Sequence, residues 1–165
     1  MRFIESPAEL YAHAIAIERE AAERYAEFAQ RMADEGREEL AAVFAKLART
    51  ESEHLEALQR RTDGVELPLL KTHEYQWLDA GIPEVPARGL VLRLMTPRQA
   101  LAIALHAEQR AHAFFEHVGF TANDPALRVL AREMAAEERE HAAMLARLIE
   151  ATPAPELHST LIFER

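Results

Sequence analysis

The sequence predicts an all-α protein of four long helices arranged as two helix hairpins. Three observations carry this. Ala, Glu, Leu and Arg dominate the 165 residues, whereas 5 Gly and few β-branched residues argue against a large sheet. Four stretches carry apolar residues at alternating spacings of three and four, the mark of a helix with one buried face. Two of these stretches open with Ser or Thr, then Pro, then Glu or Gln at the third helical position, which is a helix-start signature.

The first helix opens at Ser6-Pro7-Ala8-Glu9 and runs to 33, where Asp34-Glu35-Gly36 breaks it. The second follows to 62 and ends before Asp63-Gly64. The third opens at Thr96-Pro97-Arg98-Gln99 and runs to 118. The fourth opens at Asn123-Asp124-Pro125 and ends at 151, ahead of Pro153 and Pro155. The hairpins therefore span 7–62 and 97–151, and together with the segment between them they form one domain over 1–151.

Residues 63–96 contain Gly81, Pro83, Pro86 and Gly89, and form too long a connection for an ordinary loop. They are expected to cross the length of the bundle and join the hairpins, with room for a short helix over 70–78. Residues 152–165 form a C-terminal tail whose Leu161-Ile162-Phe163 is expected to dock on the bundle or on a partner subunit. A homodimer is the default expectation.

Composition narrows the function. No apolar run approaches the ~20 residues that span a bilayer, and MRFIESPAEL has no signal-peptide core. A cytoplasmic location with no membrane partner is expected. Without cysteine there is no disulfide, no thiolate metal site and no Cys nucleophile. A net charge of −9 disfavours nucleic acid as a partner.

The apolar stripes are interrupted by polar residues at their centres. Helix one reads Ala14, Glu18, Ala21, Tyr25, Phe28, Met32. Helix two reads Phe44, Leu47, Glu51, His54, Leu58. Helix three reads Leu101, Ala104, Glu108, Ala111, Phe115, Val118. Helix four reads Ala131, Met134, Glu138, His141, Leu145. A Glu on a helix usually belongs to a solvated face, and one Glu-x-x-His is unremarkable in so Glu-rich a chain with 8 His. Six such residues on buried stripes are different, because an unpaired buried charge costs several kcal/mol. The six also share one height. The midpoint of Glu18 and Glu51 falls in Asp34-Glu35-Gly36, and that of Glu108 and Glu138 falls at Asn123, each inside a turn. The arrangement occurs twice, as a Glu followed by a Glu-x-x-His.

Four facing carboxylates cannot all stay ionised without compensation, and two divalent cations would cancel their charge. Neutral imidazoles then complete the ligation. Mixed oxygen and nitrogen donors suit Fe or Mn better than structural Zn. Such a pair suits the two-electron reduction of O2 or peroxide.

The stretches IEREAAERY, ESEH, AEQRAHAFF and EREH resemble the ferritin-like di-iron carboxylate proteins, most closely the rubrerythrin-like branch. That superfamily is known for two Glu plus two Glu-x-x-His projecting into a four-helix bundle. The resemblance covers 7–151 apart from the crossover. It implies a di-iron centre with Glu18 and Glu108 as ligands from helices one and three. Glu51 and Glu138 would bridge, and His54 and His141 would each cap one iron. Tyr25 matches a tyrosine near the metals and is the candidate catalytic residue, with simple core packing as its alternative. Glu137 is a rival to Glu138, at i, i+4 from His141, although the repeat favours Glu138.

Two departures bear on activity. The further helix-three carboxylate of rubrerythrins falls on Ala111 here, and the next residue, His112, is expected to be exposed. The cysteine-ligated iron centre of rubrerythrins cannot form in this chain, so an electron donor must be external. The leading expectation is a di-iron oxidoreductase acting on Fe(II) with O2 or hydrogen peroxide, in peroxide removal or iron handling. Ferritin-type iron storage, a dimanganese catalase-like site and a non-catalytic bundle remain alternatives.

Overall fold

The computed structural model describes residue 4 and residues 6–70 and 96–153. The expected crossover helix over 70–78 and the docking of the C-terminal tail lie outside, or almost wholly outside, those residues. Among the described residues there are four helices, α1 (Pro7–Asp34), α2 (Glu38–Arg61), α3 (Pro97–Thr121) and α4 (Pro125–Ala151), and no strand. None is long and apolar enough to cross a membrane.

The helix ends follow from local chemistry. Ser6 sits in extended backbone and its hydroxyl accepts from the Glu9 N–H at 3.2 Å, satisfying one of the free donors of the first turn of α1. Thr96 and Gln99 form a full reciprocal box at the start of α3, with Gln99 N–H donating to the Thr96 hydroxyl and Thr96 N–H donating to the Gln99 side chain. Asp124 accepts from the N–H groups of Ala126 and Leu127 and starts α4. Between α1 and α2 the chain reverses through Gly36 at φ 71°, a left-handed conformation in which a Cβ is strained.

α3 continues three residues past the expected end at 118, to Thr121. The residue after the expected end is Gly119, a type that helix interiors disfavour. Gly119 is buried against α4, where a Cβ would lie 3.3 Å from Cγ of Arg132. The missing side chain lets the two helices approach closely, and the ladder runs on to the bond from Ala122 N–H to Val118 C=O.

α1 packs along α2 and α3 along α4, and the hairpins meet through α1 against α3 and α4. The interior is divided. One apolar cluster holds Leu10, Ile17, Leu58, Phe115, Leu127 and Met134 with their neighbours. The other holds Tyr25, Phe28, Phe44, Leu47, Leu101 and Leu145 with theirs. Every helix contributes to both. Between them lie Glu18, Glu51, Glu108 and Glu138, each at most 4% exposed.

Candidate metal centre

These four glutamates come one from each helix, at the middle of each apolar stripe, where helical spacing turns them into the interior. His54 and His141, one turn beyond Glu51 and Glu138, stand at the edge of the layer. Their side chains are 25% and 13% exposed, so each ring reaches inward from a partly open position.

Two groups of donors result, each with ligand atoms within 4.8 Å of one another. The first is Glu18, Glu51 and His54, with His54 Nδ1 3.7 Å from Glu18 Oε2 and 3.8 Å from Glu51 Oε2. The second is Glu51, Glu108 and His141, with His141 Nδ1 3.0 Å from Glu51 Oε1 and 3.4 Å from Glu108 Oε2. Glu51 belongs to both. Glu138, expected as its bridging counterpart, belongs to neither and lies beside the second group, Oε2 3.9 Å from His141 Nδ1. The sequence repeat is thus more symmetric than the geometry.

Several atoms of the layer lack a hydrogen-bond partner. Both Glu18 oxygens, Glu51 Oε1 and His141 Nδ1 are buried and make no aligned hydrogen bond, even where contacts are short. Buried polar atoms are normally paired, so this set fits a cation that would take those lone pairs. The donors, carboxylate oxygen with imidazole nitrogen, suit Fe or Mn.

Protons carry part of the compensation in the metal-free protein. Burial pushes the Glu18 carboxyl well up, reinforced by Glu51, Glu108 and Glu137. Burial likewise pushes Glu138 well up, reinforced by Glu108 beside it. For Glu51 burial acts upward, but contacts with His141 and Glu18 and the charge of His54 outweigh it and hold the group below the usual range. For His141 burial acts downward, yet contacts with Glu108 and Glu51 raise it to about 10. An imidazolium at 141 stands where positive charge is wanted.

Tyr25 is fully buried and its hydroxyl donates to Glu108 Oε1 in a short hydrogen bond. Burial first, then the charge of Glu108, pushes the phenol well up. Tyr25 therefore keeps its proton and fixes one oxygen of Glu108, while its ring packs in the cluster with Phe44. The residue thus stands beside the donors and within the core at once.

Other positions read differently from the sequence. His112 is half-buried rather than exposed, with Nδ1 2.8 Å from the Ala135 carbonyl, so it ties α3 to α4 outside the donor layer. Ala111 is buried in the first cluster and offers no ligand. Glu137 is half-exposed, and its Oε2 comes within 4.0 Å of His54 Nδ1. Its place beside the first group was not expected. The signal was its spacing of four from His141, which points a side chain along the same helix edge.

The fold and the carboxylate–imidazole layer define a ferritin-like bundle. A family model described as rubrerythrin matches residues 9–80. The crystal structure of an uncharacterized conserved protein from Magnetospirillum magnetotacticum MS-1 is similar, with 36% identity and a TM-score of 0.82. That likeness covers 92% of this chain and 99% of the other. No curated protein matches. The chain belongs to one family with the M. magnetotacticum protein, within the ferritin-like superfamily, and its first half is similar to the rubrerythrins.

Proposed function

We propose that this protein is a rubrerythrin-like di-iron carboxylate oxidoreductase that oxidises Fe(II) with O2 or hydrogen peroxide, serving peroxide removal or iron handling. The observation that carries the reading is Glu51. One buried carboxylate shared by two donor groups, each completed by a Glu and a His, is what two adjacent cations need.

In this reading Glu18 with His54, and Glu108 with His141, are the separate donors of two positions, and Glu51 joins them. Glu138 is close enough to His141 to join the second position by side-chain rotation. Bound iron supplies two one-electron couples side by side, matching the two electrons that peroxide takes. Tyr25 holds Glu108 in place and keeps a buried proton next to the donors. The apolar clusters on both sides exclude bulk water from the layer. With no cysteine in the chain, reducing equivalents come from an external donor.

The test is elemental analysis of protein made in iron- and manganese-supplemented cells, followed by anaerobic Fe(II) loading and stopped-flow mixing with O2 or peroxide. Two irons per chain that oxidise on mixing support the reading. Two manganese would replace it with a catalase-like one, and many irons per chain with storage. A folded protein that takes up no metal would remove it.

A further inference from the structure

Two openings lead between α2 and α4 to the imidazoles, and their charge is opposite. The first, a cavity of about 450 Å3, reaches His141 past Lys46, Thr50, Glu140 and Arg147. The second, about 60 Å3, reaches His54 and Glu18 past Arg61, Glu133 and Glu137. The second is small but has room for an ion with a water or two. At its floor is Glu18, 1% exposed, with both carboxylate oxygens unpartnered. At its wall Glu137 brings Oε2 within 4.0 Å of His54 Nδ1 while remaining half-exposed. At its mouth the Arg61 guanidinium rests 3.8 Å from Glu133, both side chains more than half exposed.

We propose that Glu137 and Glu133 form an uptake port for divalent cations, feeding the position bounded by Glu18, Glu51 and His54, with Arg61 as its counter-charge. This rests on the metal-centre reading above. A cation arriving from solvent meets Glu133 and Glu137 on successive turns of α4, displaces Arg61 from a weak exposed pair, and passes to the unpartnered oxygens of Glu18. The other opening carries Lys46 and Arg147 and repels the same ion. Glu137 thus acts before ligation, as a half-exposed group that can face either solvent or the site.

The test is stopped-flow absorbance of anaerobic metal-free protein mixed with Co(II), which reports binding without turnover. Glu137→Gln is expected to load about five- to tenfold more slowly, while Arg61→Gln loads faster, because one removes attraction and the other repulsion. Both variants should still reach two Co(II) per chain, and Lys46→Gln should load no more slowly than wild type. The wild-type rate should fall with added NaCl more steeply than that of Glu137→Gln. Loading of Glu137→Gln at the wild-type rate, or slower loading of Arg61→Gln, overturns the port. Loss of one Co(II) equivalent in Glu137→Gln also overturns it, by making Glu137 a resident ligand. Failure of the wild-type protein itself to bind Co(II) overturns the metal-centre reading instead.

Discussion

The rings of His54 and His141 lie nearly parallel, with centroids 5.7 Å apart and planes at 11°. One comes from each hairpin, so this pair closes the donor layer on the side where α2 faces α4. Contacts with Glu108 and Glu51 raise His141 to about 10 against the effect of its burial. The layer is asymmetric in geometry, since Glu51 belongs to both donor groups and Glu138 to neither.

Glu51 is the first residue to test. Because it serves both donor groups, Glu51→Ala should abolish binding of both metal equivalents. His54→Ala belongs to one group and should lose one. Isothermal titration with Co(II) under anaerobic conditions reads both stoichiometries, and equal losses in the two variants would contradict the shared role.

The stability of the metal-free protein should fall as pH rises from 5 to 10. Glu18 and Glu138 have raised folded-state values, so the folded chain holds protons that the unfolded chain releases above the ordinary carboxyl value of 4.5. His141 acts in the same sense between 6.5 and about 10. Each proton held only by the folded state costs about 1.4 kcal/mol per pH unit through its window. Glu51, held low, matters only below its usual range. Thermal melts across pH should show metal-free protein most stable on the acid side of neutrality. The stabilisation gained on adding metal should grow with pH, since metal replaces those protons.

Tyr25→Phe removes the donor to Glu108 and leaves a buried carboxylate oxygen without it. The expected cost is about 1–3 kcal/mol in the metal-free protein, measured by urea denaturation. Ring packing against Phe44 is retained, so the fold should survive with both metal equivalents bound. Slower Fe(II) oxidation at unchanged stoichiometry would separate a role in the reaction from a role in packing.

Glu138→Met replaces a carboxyl that is buried and unfavourably ionised with an apolar chain of similar length. At pH 8 the metal-free variant should be more stable by about 1–3 kcal/mol, while its metal affinity falls. A destabilised variant would mean that Glu138 makes an attractive contribution in the absence of metal.

Much of this site is legible in the sequence because burial and charge conflict there. Glu18, Glu51, Glu108 and Glu138 stand where helical periodicity demands apolar residues, and that conflict survives any uncertainty in helix ends. The helix starts are legible for a similar reason, since Ser6, Thr96 and Asp124 do their bonding within three residues. What the sequence could not supply depends on distances between helices. The repeat makes Glu51 and Glu138 look equivalent, yet their reach across the bundle differs. Gly119 reads as a type that helix interiors disfavour until α4 is seen against it. Glu137 reads as a rival of Glu138 for the His141 side, and only the neighbouring helix places it beside His54 instead.

The divided interior has a consequence for how the ligands can move. Each of the four helices is gripped by one apolar cluster before the glutamate layer and by the other after it. The backbone under Glu18, Glu51, Glu108 and Glu138 is thereby fixed at both ends, and no hinge lies within the layer. Any change of coordination would come from torsions of the carboxylate arms themselves rather than from helix displacement. A centre built this way can alter its ligand geometry within a single reaction without disturbing the surface of the protein.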